Sequence, residues 1–118
     1  MLRDARDDDN IKAVILQIDS PGGSASTIEP IYLDILQLRQ HKPVVAYIGA
    51  RGASGGYYIA VASNFIYAGP SSSIGSIGVI GVLPTPERPD ENILTTGPFK
   101  ASGGSRRKAV SEIATLKQ

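Results

Sequence analysis

The chain has 118 residues, 42% of them hydrophobic, which is enough apolar material for one domain with a modest core. Its net charge is +1, with acidic and basic residues nearly balanced, so the composition indicates no nucleic-acid partner. The lack of cysteine excludes disulfides and thiolate metal sites, and a single histidine argues against a zinc site. No apolar run reaches the roughly 20 residues of a membrane span, and no signal peptide begins the chain.

The first third of the chain predicts a strand, a glycine-containing turn and a helix. Residues 1–10 are charged and are typical of a helix that ends in a turn. The apolar run 13–18 predicts a strand buried on both faces, as in a parallel sheet, and Asp19-Ser20-Pro21-Gly22-Gly23 ends it. A helix is expected near residues 27–40, with Pro30 in its first turn. Its apolar residues recur at i, i+3 and i+4 spacing and are Ile28, Ile31, Ile35 and Leu38.

A second unit of the same kind follows directly. The β-branched run 44–48 predicts a strand, and Ala53-Ser54-Gly55-Gly56-Tyr57-Tyr58 predicts a tight turn that opens a helix near 55–63. A short third strand is expected at 65–68. The middle of the chain is therefore organised around the turn that contains Ser54.

The last third of the chain is less regular. Residues 74–82 alternate glycine with β-branched residues, and residues 84–90 contain three prolines and predict a surface loop. A weak strand is expected at 92–96, a second loop at 102–105, and a helix that begins near Arg107. No internal repeat is present.

Two strand–turn–helix units in series predict an α/β fold with a parallel sheet. Right-handed crossovers bring both glycine turns to the carboxyl edge of that sheet, with Gly22-Gly23 beside Ser54-Gly55. A serine at a helix N-terminus lies where unpaired N–H groups and the helix dipole favour negative charge, as acyl transfer requires. The alternative is that Ser54 only caps the helix.

Four stretches occur in an order that is specific when they are taken together. They are Asp19-Ser20-Pro21-Gly22-Gly23, Ala53-Ser54-Gly55-Gly56-Tyr57-Tyr58-Ile59-Ala60, Gly75-Ser76-Ile77-Gly78-Val79 and Gly97-Pro98-Phe99-Lys100. In this combination the chain resembles the signal peptide peptidase A family, serine peptidases with the Clp protease/crotonase fold. The resemblance covers most of the chain, although Ser-Pro-Gly-Gly alone is shared with Clp-type proteases.

The resemblance implies a role for five residues. Ser54 matches the nucleophile, and the Gly55 N–H matches one oxyanion donor. Gly23 matches the other donor, Lys100 the general base, and Ser76 the serine that holds that lysine. For Gly23 the alternative is a plain turn glycine, and for Ser76 a hydroxyl that satisfies local backbone.

The resemblance also implies a Ser–Lys endopeptidase that degrades hydrophobic peptides such as cleaved signal peptides. No cofactor and no metal are expected, and a homo-oligomer is expected. The parent protein would be membrane-associated, with its active domain on the extracytoplasmic side, through segments absent from this chain. The chain itself is expected to be soluble and to be a partial catalytic domain over residues 1–118, cut from flanking elements of the sheet and the C-terminal helix.

The chain departs from the family pattern in three places. The stretch between Val79 and Lys100 is shorter than usual and rich in proline, Ala101 replaces a common aspartate, and Ile74 replaces a common threonine. These departures affect the placement of Lys100 and leave Ser54 unaffected. The alternative is that a neighbouring chain supplies the base.

Histidine is the usual alternative to lysine as the base. His41 is the single histidine, lies at a helix end before the nucleophile, and is expected to be solvated. Asp19 lies at a strand end with no histidine to orient. A lysine acts as a base only when neutral, and the apolar Pro98-Phe99 flank would supply part of the desolvation that favours this form. Lys12, Lys42 and Lys108 are expected to be solvated.

Three other functions remain open from the sequence. A crotonase-type acyl-CoA enzyme also binds an oxyanion with two N–H groups of glycine turns, but it needs no nucleophilic serine. A non-catalytic assembly module would use the same fold for oligomerisation. Within the peptidase class, the alternative is a phage-type capsid-maturation protease.

Overall fold

The computed structural model describes residues 1–82, 93–96, 100 and 107–109. The chain divides into two compact units, Met1–Gly75 and Ser76–Gln118. The first unit contains the parallel sheet and both glycine turns, and the second contains a small sheet of its own.

The first unit is built on a four-stranded parallel sheet. Its strands are β1 (Val14–Ser20), β2 (Val44–Ala53), β3 (Phe65–Ala68) and β4 (Ser73–Gly75). The order is β1-β2-β3, and β4 pairs with the last residues of β2. Every pairing in this sheet is parallel, which confirms the predicted α/β class.

Three helices belong to this unit, and none of the helices in the described ranges is long and apolar enough to cross a membrane. They are α1 (Leu2–Asp7), α2 (Ala25–Leu38) and α3 (Gly55–Ala60). Helix α2 begins about two residues earlier than expected, so Pro30 lies inside the helix and not in its first turn. Proline has no N–H to donate, which removes one helical hydrogen bond there.

The core lies between the sheet and helices α2 and α3. Apolar residues at alternate positions of β1 and β2 face the helices, since side chains alternate between the two faces of a strand. They form two buried clusters, one of Ile18, Ala46, Ile48 and Ala60 and the other of Ile35, Leu38, Val44 and Ala62.

The expectation that β1 is buried on both faces is wrong. The register sets Ile15 beside Val45 and Val45 beside Phe65, on the face opposite to the core. Ile15 is 74% exposed and Phe65 63% exposed. Helices α2 and α3 both contribute to the buried clusters on one face of the sheet, and Ile15 and Phe65 lie on the other face. An unbroken apolar run in the sequence does not indicate which face of a strand the helices cover.

Side chains from the connecting segments hold the helix ends. Arg39 Nη1 donates to the carbonyl oxygens of Ala62 at 3.0 Å and Ser63 at 3.4 Å, just beyond the last turn of α3. Asn64 pairs with both backbone groups of Val44: its Oδ1 accepts from the Val44 N–H, and its own N–H donates to the Val44 carbonyl. These bonds fix the position of α3 relative to β2, and therefore the turn between them.

The second unit contains β5 (Ile80–Val82), β6 (Ile93–Thr95) and β7 (Arg107–Ala109). Strand β6 pairs antiparallel with β5 and parallel with β7, and it confirms the weak strand expected at 92–96. The prediction of a helix that begins near Arg107 is wrong for residues 107–109, because backbone pairing with β6 overrides the helix propensity of the basic residues there. The rest of that predicted helix lies outside the described residues. The loops expected at 84–90 and 102–105 lie outside the described residues.

Candidate active site

Ser54 occupies the junction between β2 and α3 in a strained conformation. Its φ of 52° and ψ of −118° fall in a region that residues other than glycine rarely adopt. The backbone is held on both sides: the Ser54 N–H donates to the Gly75 carbonyl at 2.8 Å, and the Ser54 carbonyl accepts from the Tyr58 N–H at 2.9 Å. The last strand of the sheet and the first turn of α3 therefore maintain the strain.

The Ser54 side chain does not cap the helix that it begins. It is half-buried and makes no capping hydrogen bond to α3. The first N–H groups of a helix have no intrahelical partner, so they remain available near the hydroxyl. The geometry therefore does not match the alternative in which Ser54 is only a helix cap.

The turn after β1 lies directly against Ser54. Gly22 has a φ of 115°, and a Cβ atom built on it would lie 2.6 Å from Ser54 Cβ and 3.0 Å from Ser54 Oγ. The same position would be 3.0 Å from the Gly55 nitrogen. The predicted adjacency of the two glycine turns is confirmed, and a side chain at position 22 would fill the space beside the serine hydroxyl.

The two glycines of the first turn use their N–H groups differently. The Gly22 N–H donates to Ser20 Oγ at 3.1 Å, which closes the turn. Within the described part of the first unit, the Gly23 N–H makes no such bond. Gly23 N lies 3.2 Å from the position that a Cβ atom on Gly55 would take. Gly23 and Gly55 therefore bring two backbone N–H groups into neighbouring turns, and their part in oxyanion binding stays a prediction.

Lys100 and Ser76 are brought together in the second unit. Lys100 is 8% exposed, which is rare for lysine, and its Nζ donates to the backbone carbonyl of Ser76 at 3.0 Å. Ser76 is exposed and has a φ of 54°. The observed contact uses the main-chain carbonyl, where the sequence-based expectation was the hydroxyl. The part that Lys100 and Ser76 take in catalysis stays a prediction.

The other candidate bases have structural roles. His41 is exposed, as expected, and its Nδ1 lies 2.9 Å from the Gln37 carbonyl at the end of α2. Lys12 is exposed, and its Nζ donates to the Asp9 carbonyl. Lys42 was expected to be solvated but is half-buried, because its Nζ donates to two carbonyls at the end of α1. The side chain of Lys108 lies outside the described residues.

The roles of three residues at this site were not predicted from the sequence. Ser20 closes the first turn through its hydroxyl. A serine two residues before a glycine is the spacing of such a turn, so the sequence did contain a signal for it. Gly22 was treated only as the partner of Gly23, although it is the residue with positive φ. Ile28 was assigned to the core face of α2, and nothing in its spacing indicated that it touches both glycine turns.

Comparison with known proteins shows that the chain is similar in sequence to several proteases. The chain is 46% identical over 87 residues to Protease 4 of Salmonella typhi, which covers 73% of this chain and 14% of that protein. It is 43% identical over 79 residues to a chloroplastic serine protease, SPPA, of Arabidopsis thaliana, covering 67% and 12%. It is 40% identical over 72 residues to a membrane-bound protease of Pyrococcus horikoshii, covering 58% and 16%. The chain thus spans a small part of the length of each relative.

The family assignment follows from a match to a protein-family model. Residues 36–113 fit the model of peptidase family S49, and this range includes Ser54, Ser76 and Lys100. The range leaves out the first glycine turn, which the structure places against Ser54. The match covers well over half of the chain, so the chain belongs to peptidase family S49, the signal peptide peptidase A family that its four motifs indicated.

Proposed function

We propose that this chain is part of the catalytic domain of a serine endopeptidase in which Ser54 is the nucleophile and Lys100 the general base. The observation that supports this most strongly is the Ser54 turn. A half-buried serine is held at positive φ, its hydroxyl does not cap the helix, and a second glycine turn lies against it. The relatives named as proteases support the same activity.

In the first half of the proposed reaction, Ser54 Oγ attacks the carbonyl carbon of the scissile peptide bond. Its proton moves to the neutral amine of Lys100, and the carbonyl oxygen becomes an oxyanion that accepts hydrogen bonds from the N–H groups of Gly23 and Gly55. When the carbon–nitrogen bond breaks, the Lys100 ammonium returns the proton to the leaving amine. The product is an ester between Ser54 and the acyl part of the substrate.

In the second half, water hydrolyses that ester. Lys100 accepts a proton from the attacking water, and the same two N–H groups bind the second oxyanion. Collapse of this intermediate returns the proton to Ser54 Oγ and releases the carboxylic acid. Each proton taken up by Lys100 is given back, so the enzyme is regenerated without a cofactor.

The surroundings of Lys100 support its role as the base. A general base must be uncharged, and removal from water favours the uncharged form of an amine. Lys100 is 8% exposed, and one of its N–H groups is directed to the Ser76 carbonyl. Ser76 would therefore orient the amine through its main chain, which has a positive φ at this residue.

The proposal also covers the fold family, the substrate class, the location of the parent protein and its oligomeric state. The parallel sheet and the family assignment support a Clp protease/crotonase-like domain. We infer that the substrates are hydrophobic peptides such as cleaved signal peptides. We also infer that the parent protein is membrane-associated, which the name of the membrane-bound relative supports, with its active domain on the extracytoplasmic side. Exposed apolar side chains on the sheet face opposite to the core, such as Ile15 and Phe65, favour a homo-oligomer.

Hydrolysis of a hydrophobic peptide by the Ser54→Ala variant tests the proposal. The substitution removes one hydroxyl that makes no capping bond, so the fold should be retained while turnover is lost. Ser71→Ala is a matched control, since Ser71 is an exposed turn residue. Turnover of Ser54→Ala close to that of the wild type, with purified protein, would show that the nucleophile has been assigned to the wrong residue.

A further inference from the structure

The side chain of Ile28 lies between the two glycine turns. Its Cδ1 is 3.2 Å from the position that a Cβ atom on Gly23 would take, and it occupies the position of a Cβ atom on Gly55. Ile28 is buried, at 8% exposure, in the first turn of α2. One methyl group therefore lies on the side-chain side of both proposed oxyanion donors.

Steric contact with Ile28, and with the Gly23 nitrogen 3.2 Å from the same position, explains why position 55 is a glycine. Gly22 requires glycine because of its positive φ, whereas Gly55 and Gly23 have no such backbone requirement. A Cβ atom on Gly55 would also lie 3.1 Å from Ile28 Cγ1, so the whole end of the isoleucine faces it. An alanine at position 55 would keep its N–H and its helical backbone but would displace Ile28.

We propose that Ile28 is a positioning residue that sets the spacing of the Gly23 and Gly55 N–H groups. The proposal rests on the proposed function, because it gives the two N–H groups an oxyanion to bind. Gly23 belongs to the turn after β1 and Gly55 to the first turn of α3, and Ile28 is a side chain in contact with both. Without its terminal methyl group, the two turns can approach each other or separate, and hydrogen bonds to an oxyanion are sensitive to such shifts.

The first test compares two deletions of a single methyl group from helix α2. Ile28→Val removes the Cδ1 atom that touches both glycines. Ile35→Val removes the same group from a fully buried residue in the cluster with Leu38 and Val44. Since one oxyanion donor is worth about 10²–10³ in rate, we expect Ile28→Val to lower kcat about tenfold with KM changed less than about twofold. Ile35→Val should lower the melting temperature and leave kcat within about twofold.

The second test uses a compensating pair. Gly55→Ala alone should lower kcat and the rate of fluorophosphonate labelling at Ser54 by about 10² or more, because the new methyl group displaces Ile28 and lies 3.2 Å from the Gly23 nitrogen. In Gly55→Ala with Ile28→Val, the alanine methyl takes the space of the deleted Cδ1. Both the melting temperature and the labelling rate should then recover in part, and the double variant should exceed Gly55→Ala in each.

The results separate this proposal from the function on which it rests. Wild-type labelling at Ser54 together with unchanged kcat in Ile28→Val would overturn the role of Ile28 and leave the peptidase intact. Additive losses in the double variant would overturn it as well. If wild-type Ser54 does not react at all, both proposals fail, because there is then no oxyanion for Ile28 to serve.

Discussion

Gly22 lies so close to Ser54 that there is no room for a Cβ atom at position 22. A Cβ atom at position 22 would lie 2.6 Å from Ser54 Cβ, a distance that real Cβ atoms essentially never show. The two residues come from different strand–turn–helix units, and the parallel pairing of β1 with β2 brings their turns to one edge. The site proposed for acyl transfer is thus the meeting point of two turns.

Gly22→Ala should therefore damage both stability and activity. A residue other than glycine at positive φ costs about 1–3 kcal/mol, and the contact with Ser54 adds to this. We expect a lower melting temperature and no measurable peptide hydrolysis. Gly49→Ala is the control, because its Cβ atom would make ordinary contacts at 3.8 and 3.9 Å. Equal effects of the two substitutions would contradict the close approach at Gly22.

Ser20→Ala should loosen the first glycine turn. It removes the Oγ atom that accepts the Gly22 N–H, and a bond of this kind contributes about 0.5–1.5 kcal/mol to stability. We expect a loss of that size in urea unfolding and a lower kcat. Ser20→Thr keeps the hydroxyl and should restore both quantities in large part. If Ser20→Thr behaves like Ser20→Ala, the hydrogen bond is not what maintains the turn.

Lys100→Met should abolish hydrolysis, and so should Lys100→Arg, because a guanidinium remains protonated. Wild-type activity should rise with pH as the fraction of neutral Lys100 increases, and this rise should be absent from any residual activity of Lys100→Met. Lys12→Met is the matched control, since Lys12 is exposed and donates only to a local carbonyl. Full activity in Lys100→Met would place the base elsewhere, with Lys108 the next residue to test.

Most of the first unit was predictable because its signals are local. Apolar runs bounded by glycine and proline located β1, β2 and β3, and the i, i+3, i+4 pattern located α2. The adjacency of the glycine turns followed from the handedness of parallel crossovers. The C-terminal end of α3 was less accurate: the helix ends at Ala60, three residues before the predicted end, and Arg39 donates to the Ala62 carbonyl beyond it.

Features that depend on distant residues were not predictable. The strand β7 exists through pairing with β6, although its basic residues favour helix. The exposure of Ile15 depends on which face of the sheet the helices cover. The positive φ of Ser54 has no sequence signal, since serine does not favour it, and the contact of Ile28 with both glycines is visible only once α2 and α3 are packed.

The most direct test of the account is covalent labelling with a fluorophosphonate probe, followed by mass spectrometry of the labelled peptide. The account predicts a single adduct on Ser54, with labelling lost in Ser54→Ala and strongly slowed in Gly55→Pro, which lacks one proposed oxyanion donor. A crotonase-type acyl-CoA enzyme or a non-catalytic assembly module would give no adduct. An intact, folded protein that does not react at Ser54 would contradict the central claim.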